Sequence, residues 1–190
     1  ILSGAGVVIG GAIEECKKLA EKLDAPVCNG YQHNDSFPGS HPLAVGPLGY
    51  NGSKAAMELI SKADVVLALG TRLNPFSTLP GYGIDYWPKN ATIIQVDMNP
   101  DRIGLTKKVT VGICGDAKQV AQQILDKLSS DAGNLGRDER KNLIHKTKSA
   151  WLQTLAGLDH EEDDPGTVWN KEARERDKDR MSPRQAWRAI

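Results

Sequence analysis

The stretch Val65-Val66-Leu67-Ala68-Leu69-Gly70-Thr71-Arg72 decides the fold. Its first five residues are apolar with no polar alternation, which is typical of a central parallel strand covered on both faces. Gly70 ends the strand where the backbone must turn, and Thr71 and Arg72 follow directly. Ligands of open α/β sheets bind beyond the carboxyl ends of the strands. The stretch therefore predicts a ligand crevice beside Arg72.

Strand and helix patterns alternate on both sides of this stretch. Further strands are predicted at residues 1–6, 24–28, 92–96 and 109–113, and helices at residues 11–23, 54–62 and 117–128. Ser53 and Asp116 are placed to cap the last two of these helices. The alternation predicts an α/β domain over residues 1–128, with a doubly wound, mainly parallel sheet of about six strands and helices on both faces. The polar loop at residues 29–52 is long enough to suggest a functional role.

The composition changes after Leu128. Residues 129–180 are predicted to form a mostly helical or irregular, charged linker, with one amphipathic helix at residues 139–158. Acids surround His160 at residues 159–164, and residues 171–180 are charged at nearly every position, which is typical of a solvated segment. Ser182 and Pro183 then begin another helix. The chain opens without Met and stops inside that helix, so we expect a piece of a longer protein.

Bulk composition excludes several classes of protein. The 24 Lys and Arg residues balance 24 Asp and Glu residues, so no nucleic-acid or acidic-membrane partner is expected. No apolar run is long enough to span a bilayer. Cys16, Cys28 and Cys114 stand alone on apolar segments, which predicts three buried, reduced thiols and no metal site. A cytoplasmic location follows from that cysteine usage.

Several residues are candidates for ligand contacts, each with a structural alternative. Gly4 and Gly6 form half of a dinucleotide fingerprint or a plain tight turn, and Asn29-Gly30 after the second strand is not the acid that an NAD site needs. Arg72 can pair with a phosphate or with a carboxylate at a subunit contact. Asp97 can bind a ribose or cap a turn, and Asp116 with Gly115 mainly caps a helix.

The sequence shows no catalytic constellation. His33, Asp35 and His41 share one loop, but their spacing does not enforce the convergent geometry of a metal site. No Ser-His-Asp or Cys-His arrangement, P-loop or HExxH motif occurs. We therefore predict no catalytic residue and no metal ligand in this chain.

Six motifs in register nevertheless resemble one enzyme family, the thiamine-diphosphate-dependent enzymes of the acetohydroxyacid synthase type, in their central domain. The motifs cover residues 1 to about 128 and are Gly4-Ala5-Gly6, Phe37-Pro38 with His41-Pro42-Leu43, Gly46-Pro47-Leu48-Gly49, Ala63-Asp64 with Gly70-Thr71-Arg72, Val96-Asp97-Met98-Asn99-Pro100, and Gly115-Asp116-Ala117. Residues 29–40 and 78–88 resemble an acetyltransferase branch of that family, which acts on a sulfonated aldehyde. Residues 181–190 look like the start of the diphosphate-binding domain that follows in such enzymes.

The resemblance implies an enzyme only at full length. Thiamine diphosphate and Mg²⁺ would bind in domains outside this chain, so this piece alone is expected to be inactive. The implied partners are a small-molecule substrate, the other domains, and further subunits of a homo-oligomer. Two alternatives stay open: the central domain of a flavin-retaining carboligase or synthase, and a stand-alone nucleotide-binding module.

Relatives hold FAD or ADP at the strand ends of this domain. By motif, the corresponding cofactor-binding positions would be Gly4, Gly6, Leu48, Gly49, Gly70, Arg72, Asp97, Asn99, Gly115 and Asp116. Asn99 stands where flavin-binding relatives usually have a second aspartate, and Asn74-Pro75 replaces their acidic residues. His33 and Asn34 lie where a relative's loop approaches the active-site mouth, and the resemblance implies that they contact a substrate anion.

Overall fold

The computed structural model describes residues 1–157. Its six strands are β1 (Leu2–Ser3), β2 (Val27–Asn29), β3 (Ala44–Pro47), β4 (Val65–Leu69), β5 (Thr92–Asp97) and β6 (Val111–Cys114). Its helices are α1 (Ala5–Ile9), α2 (Ile13–Leu23), α3 (Lys54–Ile60), α4 (Ala117–Lys127) and α5 (Arg137–Gly157). Short 3₁₀ turns occur at Asn34–Ser36, Pro75–Ser77 and Pro100–Arg102.

The six strands form one parallel sheet in the order β3-β2-β1-β4-β5-β6. The chain moves outward from β1 to β3 and returns to pair β4 with β1, where Ser3 lies beside Leu69. This doubly wound order places a switch point between β1 and β4, which is where such sheets open a crevice. The predicted fold class is confirmed.

Strand β4 lies at the centre of the core. Its first residue, Val65, is 51% exposed, whereas the next four residues are all buried. Both faces of the strand are therefore covered over most of its length, as the unbroken apolar run predicts. Helices α1, α2 and α4 contact one another, α4 also contacts β5, and α3 packs against β3.

The two predicted helix caps are confirmed. Ser53 Oγ accepts a hydrogen bond of 3.3 Å from Ala56 N at the start of α3. Asp116 Oδ1 accepts from the backbone N–H groups of Lys118 and Gln119, each at 3.0 Å, at the start of α4. Each cap satisfies donors that a helix N-terminus otherwise leaves without partners.

Three details differ from the sequence-based expectations. A separate short helix, α1, follows β1 at once, and β3 lies inside the stretch that was expected to be a loop. Strand β6 is largely exposed because it lies at the edge of the sheet. Cys16 and Cys28 are buried free thiols, but Cys114 is exposed, so the prediction of three buried cysteines is wrong for the one on the edge strand.

Residues beyond α4 extend the compact part of the chain. Ile1–Lys148 form one compact unit, and Ser149–Ile190 form a second unit of which the structure describes residues 149–157. The predicted helix at 139–158 corresponds to α5, which begins two residues earlier. The acidic segment 159–164, the charged segment 171–180 and the helix start at 181–190 lie outside the described residues. Within residues 1–157, no helix is both long enough and apolar enough to cross a bilayer.

Candidate functional site

A crevice of about 430 Å³ opens at the carboxyl edge of the sheet. It lies where β1 and β4 part, and segments that follow β1, β2, β4, β5 and β6 line it. A volume of this size is in the range of small-molecule sites. The structure thus has a crevice at the switch point, next to the stretch that decides the fold.

Most of the predicted cofactor-binding positions line this crevice. The six that do are Gly6, Gly70, Arg72, Asp97, Gly115 and Asp116. Gly4, Leu48, Gly49 and Asn99 are not among its lining residues. The parallel register brings the six together, because they lie at or just beyond the carboxyl ends of β1, β4, β5 and β6. Their contact with a cofactor stays a prediction.

The glycine turn after β1 is required by the protein's own packing. A Cβ on Gly6 would lie 2.7 Å from the Cα of Gly70, and one on Gly4 would lie 2.6 Å from the Cβ of Thr71. Gly4 N donates to Leu69 O at 3.1 Å, and Gly6 N donates to Gly70 O at 2.8 Å. These two N–H groups are therefore not free to bind a pyrophosphate, which is the usual task of such glycines.

The carboxylates of the crevice also have structural partners. Asp97 is only 9% exposed, and its Oδ1 accepts from Asn99 N at 2.8 Å. Asn99 Oδ1 in turn accepts from Asp101 N at 2.9 Å and caps the next 3₁₀ turn. Asp116 Oδ1 caps α4, as described above. Asp116 thus has the capping role that the sequence offered as the alternative to ligand binding, whereas the turn at Pro100 is capped by Asn99, whose N–H Asp97 binds.

The arginine side chains of the crevice are not held in ion pairs by the described residues. Arg72 and Arg102 both line it and are exposed, and within residues 1–157 neither guanidinium forms an ion pair. His33 lines the crevice as well, whereas the exposed Asn34 does not. Guanidinium groups bind carboxylates and phosphates with two parallel hydrogen bonds. The crevice can therefore hold an anion near Arg72 or Arg102.

Leu48 and Gly49 instead connect two loops beside the crevice. Leu48 is fully buried, and its N–H donates to Asn29 O at 2.9 Å. Gly49 has φ +83°, and a Cβ there would overlap the carbonyl oxygen of Phe76. The next residue, Tyr50, donates its N–H to that same oxygen at 3.0 Å. Leu48 and Gly49 thus fix loop positions and do not line the crevice.

Two buried polar networks position the crevice loops, and sequence reasoning missed both. Gln95 is 1% exposed; its Nε2 donates to Thr71 O and Arg102 O, and its Oε1 accepts from Gly104 N. This side chain holds the loops that carry Arg72 and Arg102. A polar residue inside the apolar strand Thr92–Val96 was the signal that could have identified it.

The second network fixes the loop that carries His33. Ser3 Oγ lies 2.7 Å from Ser36 Oγ, and Asn29 Nδ2 donates to the same Ser36 oxygen at 2.9 Å. Ser36 Oγ donates to His33 O at 2.8 Å. All three side chains are buried, so the network ties the end of β1 and β2 to the loop that follows. Nothing in the local sequence pairs Ser3 with Ser36.

Within residues 1–157, the buried thiols and the histidines are not grouped into a metal site. Burial raises the pKa of Cys16 to about 11 and also raises the pKa of Cys28, so both thiols stay protonated at neutral pH. His41 Nε2 lies 3.1 Å from Glu21 Oε1, outside the crevice that His33 lines. Among residues 1–157 no group of three or more His, Cys, Asp or Glu side chains is arranged to bind a metal ion.

Comparison with known families identifies the chain. The model of the thiamine pyrophosphate enzyme central domain matches residues 1–124. The chain belongs to this family. The resemblance in the six motifs is thereby confirmed, and the matched residues contain all six strands and most of α4.

Two of the relatives are much more similar to the chain than a third. The chain is 80% identical over all 190 residues to a "Probable sulfoacetaldehyde acetyltransferase" of Rhizobium meliloti (strain 1021), and 73% identical over the same length to a "Sulfoacetaldehyde acetyltransferase" of Roseovarius nubinhibens. A "Probable acetolactate synthase large subunit" of Methanocaldococcus jannaschii is 37% identical over 158 residues, which is 83% of this chain and 24% of that protein. The chain spans 32% of the length of each of the first two relatives.

A solved structure agrees with the fold. A crystal structure described as that of "a putative thiamin diphosphate-dependent enzyme isolated from Mycobacterium smegmatis" superposes with a TM-score of 0.54. The match covers 68% of this chain and 24% of that one, at 24% sequence identity. This likeness supports the architecture alone.

Proposed function

We propose that this chain is the central domain of a longer thiamine-diphosphate-dependent acetyltransferase, which converts sulfoacetaldehyde and phosphate to acetyl phosphate and sulfite. One observation carries the proposal: the whole chain is 80% and 73% identical to two proteins named for this activity. Its identity to an acetolactate synthase subunit is much lower, at 37%. This difference favours the acetyltransferase over the flavin-retaining carboligase.

The role proposed for this domain is to position other parts of the enzyme. Cys16 and Cys28 are buried, protonated thiols, and the crevice carboxylates Asp97 and Asp116 accept backbone hydrogen bonds, so none of these four groups is an activated nucleophile. Thiamine diphosphate, held with Mg²⁺ by parts of the protein outside this chain, would supply the carbanion chemistry. This domain would contribute the rigid sheet edge and its loops.

The reaction is tested with the full-length protein. We expect acetyl phosphate and sulfite from sulfoacetaldehyde and phosphate, only when thiamine diphosphate and Mg²⁺ are present. The 190-residue chain alone is the matched control and should form no acetyl phosphate. Acetolactate formation from pyruvate, without acetyl phosphate from sulfoacetaldehyde, would instead establish the synthase alternative.

We infer further that the crevice does not retain a flavin. Gly4 N and Gly6 N already donate to backbone carbonyls, and Asn99 carries an amide where flavin-binding relatives usually have a carboxylate. Released ligand is measured by heating the purified full-length protein and analysing the supernatant for FAD and ADP. We expect no stoichiometric FAD, and a yellow preparation with one flavin per chain would contradict this. Recovered ADP would assign the crevice to that nucleotide.

A substrate-anion role for His33 and Asn34 is also a proposal. His33 supports it because the side chain lines the crevice with Arg72, whereas Asn34 lies outside the lining. In the full-length enzyme, we expect His33→Gln to raise the KM for sulfoacetaldehyde or phosphate. The exposed His145→Gln is the control. If the kinetic constants of His33→Gln match those of the control, His33 does not bind the substrate anion.

We also propose a cytoplasmic homo-oligomer. The location is supported by the two buried free thiols, which suit a reducing compartment. Light scattering coupled to gel filtration of the full-length protein measures the assembly. A monomeric mass would contradict it.

A further inference from the structure

The loop after β2 holds one crevice residue in a strained backbone conformation. His33 N donates to Gly30 O at 3.0 Å and closes a turn. Gln32 is the third residue of this turn and has φ +70°. A turn whose third residue has a positive φ usually takes Gly or Asn there, because other side chains make this conformation unfavourable. Strained residues of this kind cluster at functional sites, so the glutamine at this position needs a reason.

Hydrogen bonds on both sides of Gln32 fix its backbone. Before it, Tyr31 N donates to Ser77 Oγ at 3.0 Å. After it, the carbonyl oxygen of His33 accepts from Ser36 N at 3.1 Å and from Ser36 Oγ at 2.8 Å. These bonds act through the neighbours of Gln32 and do not involve its side chain. The fold therefore imposes the positive φ without requiring a glutamine, and a glycine would suit the turn better.

The side chain of Gln32 is available for a ligand. It is exposed and lines the crevice next to His33. Among the hydrogen bonds formed within residues 1–157, none involves the Gln32 amide or the His33 ring. The amide offers two N–H donors and one oxygen acceptor. A strained residue with an uncommitted polar side chain at a crevice is what a binding role predicts.

Other hydrogen-bond donors adjoin this turn. The bond from Tyr31 N to Ser77 Oγ connects it to the segment after β4, in which Arg72 and Asn74 also line the crevice. Asn74 Oδ1 accepts from Ser77 N at 2.9 Å, which leaves the NH₂ group of Asn74 to donate. The guanidinium group of Arg72 can only donate. Together with Gln32, these side chains suit a ligand group that carries several acceptor oxygens and a negative charge.

We propose that Gln32 is a binding residue for a tetrahedral oxyanion, a sulfonate or a phosphate group, to which its amide N–H groups donate beside His33. The inference rests on the proposed function, because sulfoacetaldehyde and phosphate are the two substrates of that reaction and both carry such a group. It adds Gln32 to the anion contact proposed for His33. The strain at Gln32 is then the cost of presenting an amide where the turn itself would accept a glycine.

Gln32→Gly separates a binding role from a structural one. The variant loses the amide and suits the positive φ, so its fold should be at least as stable while its anion binding weakens. Asn51→Gly is the matched control, because Asn51 is exposed, has φ +55° and does not line the crevice. The full-length protein loaded with thiamine diphosphate and Mg²⁺ is titrated calorimetrically with ethanesulfonate, which has no reactive carbonyl, and separately with inorganic phosphate. Urea unfolding of the same proteins measures their stability.

We expect Gln32→Gly to weaken the binding of at least one of the two anions about tenfold, the size of one lost hydrogen bond to a charged group. Its urea midpoint should equal or exceed that of the parent protein, and Asn51→Gly should bind both anions as the parent does. Weaker binding of ethanesulfonate alone would assign Gln32 to the sulfonate, and weaker binding of phosphate alone would assign it to the phosphate.

Three results would overturn the proposal. They are unchanged Kd values for both anions in Gln32→Gly, a parent protein that binds neither anion, and a urea midpoint of Gln32→Gly below that of the parent, which would assign the side chain to the fold. Acetyl phosphate formation is assayed separately. An inactive protein whose anion binding weakens in Gln32→Gly would refute the proposed function and leave the anion contact standing, whereas an active one with unchanged binding would refute only the role of Gln32.

Discussion

Gly49 lies where two loops beside the crevice touch through their backbones. Its φ of +83° is a conformation that side chains with a Cβ rarely adopt, and a Cβ there would overlap the carbonyl oxygen of Phe76. The loops cannot separate without breaking the bond from Tyr50 N to Phe76 O. The absence of a Cβ at Gly49 therefore allows the loops that carry Tyr50 and Phe76 to lie in contact.

Gly49→Ala should destabilise the chain by about 2 kcal/mol or more, since backbone strain and overpacking add at this position. Gly39→Ala is the matched control, because Gly39 is exposed and a Cβ there would meet nothing within 4 Å. The control should change the free energy of unfolding by less than about 0.5 kcal/mol. Urea unfolding of both variants measures the difference, and equal midpoints would show that the loops separate at little cost.

The burial of Tyr86 predicts that the stability of the fold depends on pH under alkaline conditions. Its side chain is 1% exposed, and within residues 1–157 its hydroxyl forms no hydrogen bond of regular geometry. Burial raises the pKa of Tyr86 from 10.0 to about 12, against a smaller opposing effect of the Gly49 backbone. Because the folded-state pKa lies above the unfolded value, the stability linked to this group is complete below pH 10 and is lost as the pH rises from 10 through 12.

Tyr86→Phe should therefore flatten the loss of stability between pH 10 and pH 12. Near pH 7 the variant should lie within about 1 kcal/mol of the parent chain, since the removed hydroxyl forms no hydrogen bond of regular geometry within residues 1–157. Thermal unfolding at a series of pH values measures both effects. Tyr50→Phe, which removes a phenol that is 57% exposed, is the control. An unchanged alkaline profile in Tyr86→Phe would contradict the prediction.

Local signals explain which elements the sequence could predict. Strand β4 and the caps Ser53 and Asp116 depend on neighbours within a few residues, and the structure has all three as expected. Strand β3 was missed because it is four residues long at the edge of the sheet and contains Gly46 and Pro47. Helix α1 was missed because its five residues follow β1 at once, with Gly4 as the N-cap.

Only part of the crevice was predictable, because only some of its residues belong to local sequence patterns. Gly70, Arg72, Asp97 and Asp116 follow strand ends that the apolar patterns reveal, and the parallel sheet brings them together. Gln95 acts over distance, through Thr71 and Arg102, so no local pattern shows its role. The packing that removes Leu48 from the crevice likewise depends on Asn29, 19 positions earlier in the sequence.

The guanidinium group of Arg140 is one of several contacts that hold the first half of helix α5 to the rest of the compact unit. Arg140 donates to Leu23 O at 2.9 Å and to Asp24 O at 3.0 Å, the carbonyls at the C-terminal end of α2. It also donates to Leu135 O and to Gly133 O in the turn before α5. Carbonyls at a helix end otherwise lack partners and carry partial negative charge. Arg140 thus caps α2 and fixes α5 with the same group.

Arg140→Ala should lower the free energy of unfolding by about 2–3 kcal/mol, because it removes charged hydrogen bonds to carbonyls that are partly buried. Arg140→Lys should recover only part of this, since an ammonium group cannot reach acceptors in two segments at once. The control is Lys146→Ala, an exposed residue on the same helix. If Arg140→Ala unfolds at the same urea concentration as Lys146→Ala, α5 is not held in this way.

The whole molecule is larger than the family match. The central-domain model ends at residue 124, and the sequence predicted a domain ending near Leu128, yet the compact unit runs to Lys148. Ile144 is 4% exposed and Thr147 is 6% exposed, so the first half of α5 completes the core. Lys148 Nζ also donates to Pro42 O at 2.7 Å, in the loop before β3. These contacts extend the compact unit beyond the last of the motifs, while the domain boundary itself stays a prediction.

Two shortened chains test where the compact unit ends. A chain ending after Leu128 loses the Arg140 bonds and the burial of Ile144, which together should cost about 3 kcal/mol or more. A chain ending after Gly157 keeps both and should unfold at the same urea concentration as the 190-residue chain, within about 1 kcal/mol, because the residues beyond Lys148 form a separate unit. Equal midpoints for the two shortened chains would put the domain boundary near Leu128. A lower midpoint for the shorter one alone would show that the central domain uses the first half of α5 as part of its core.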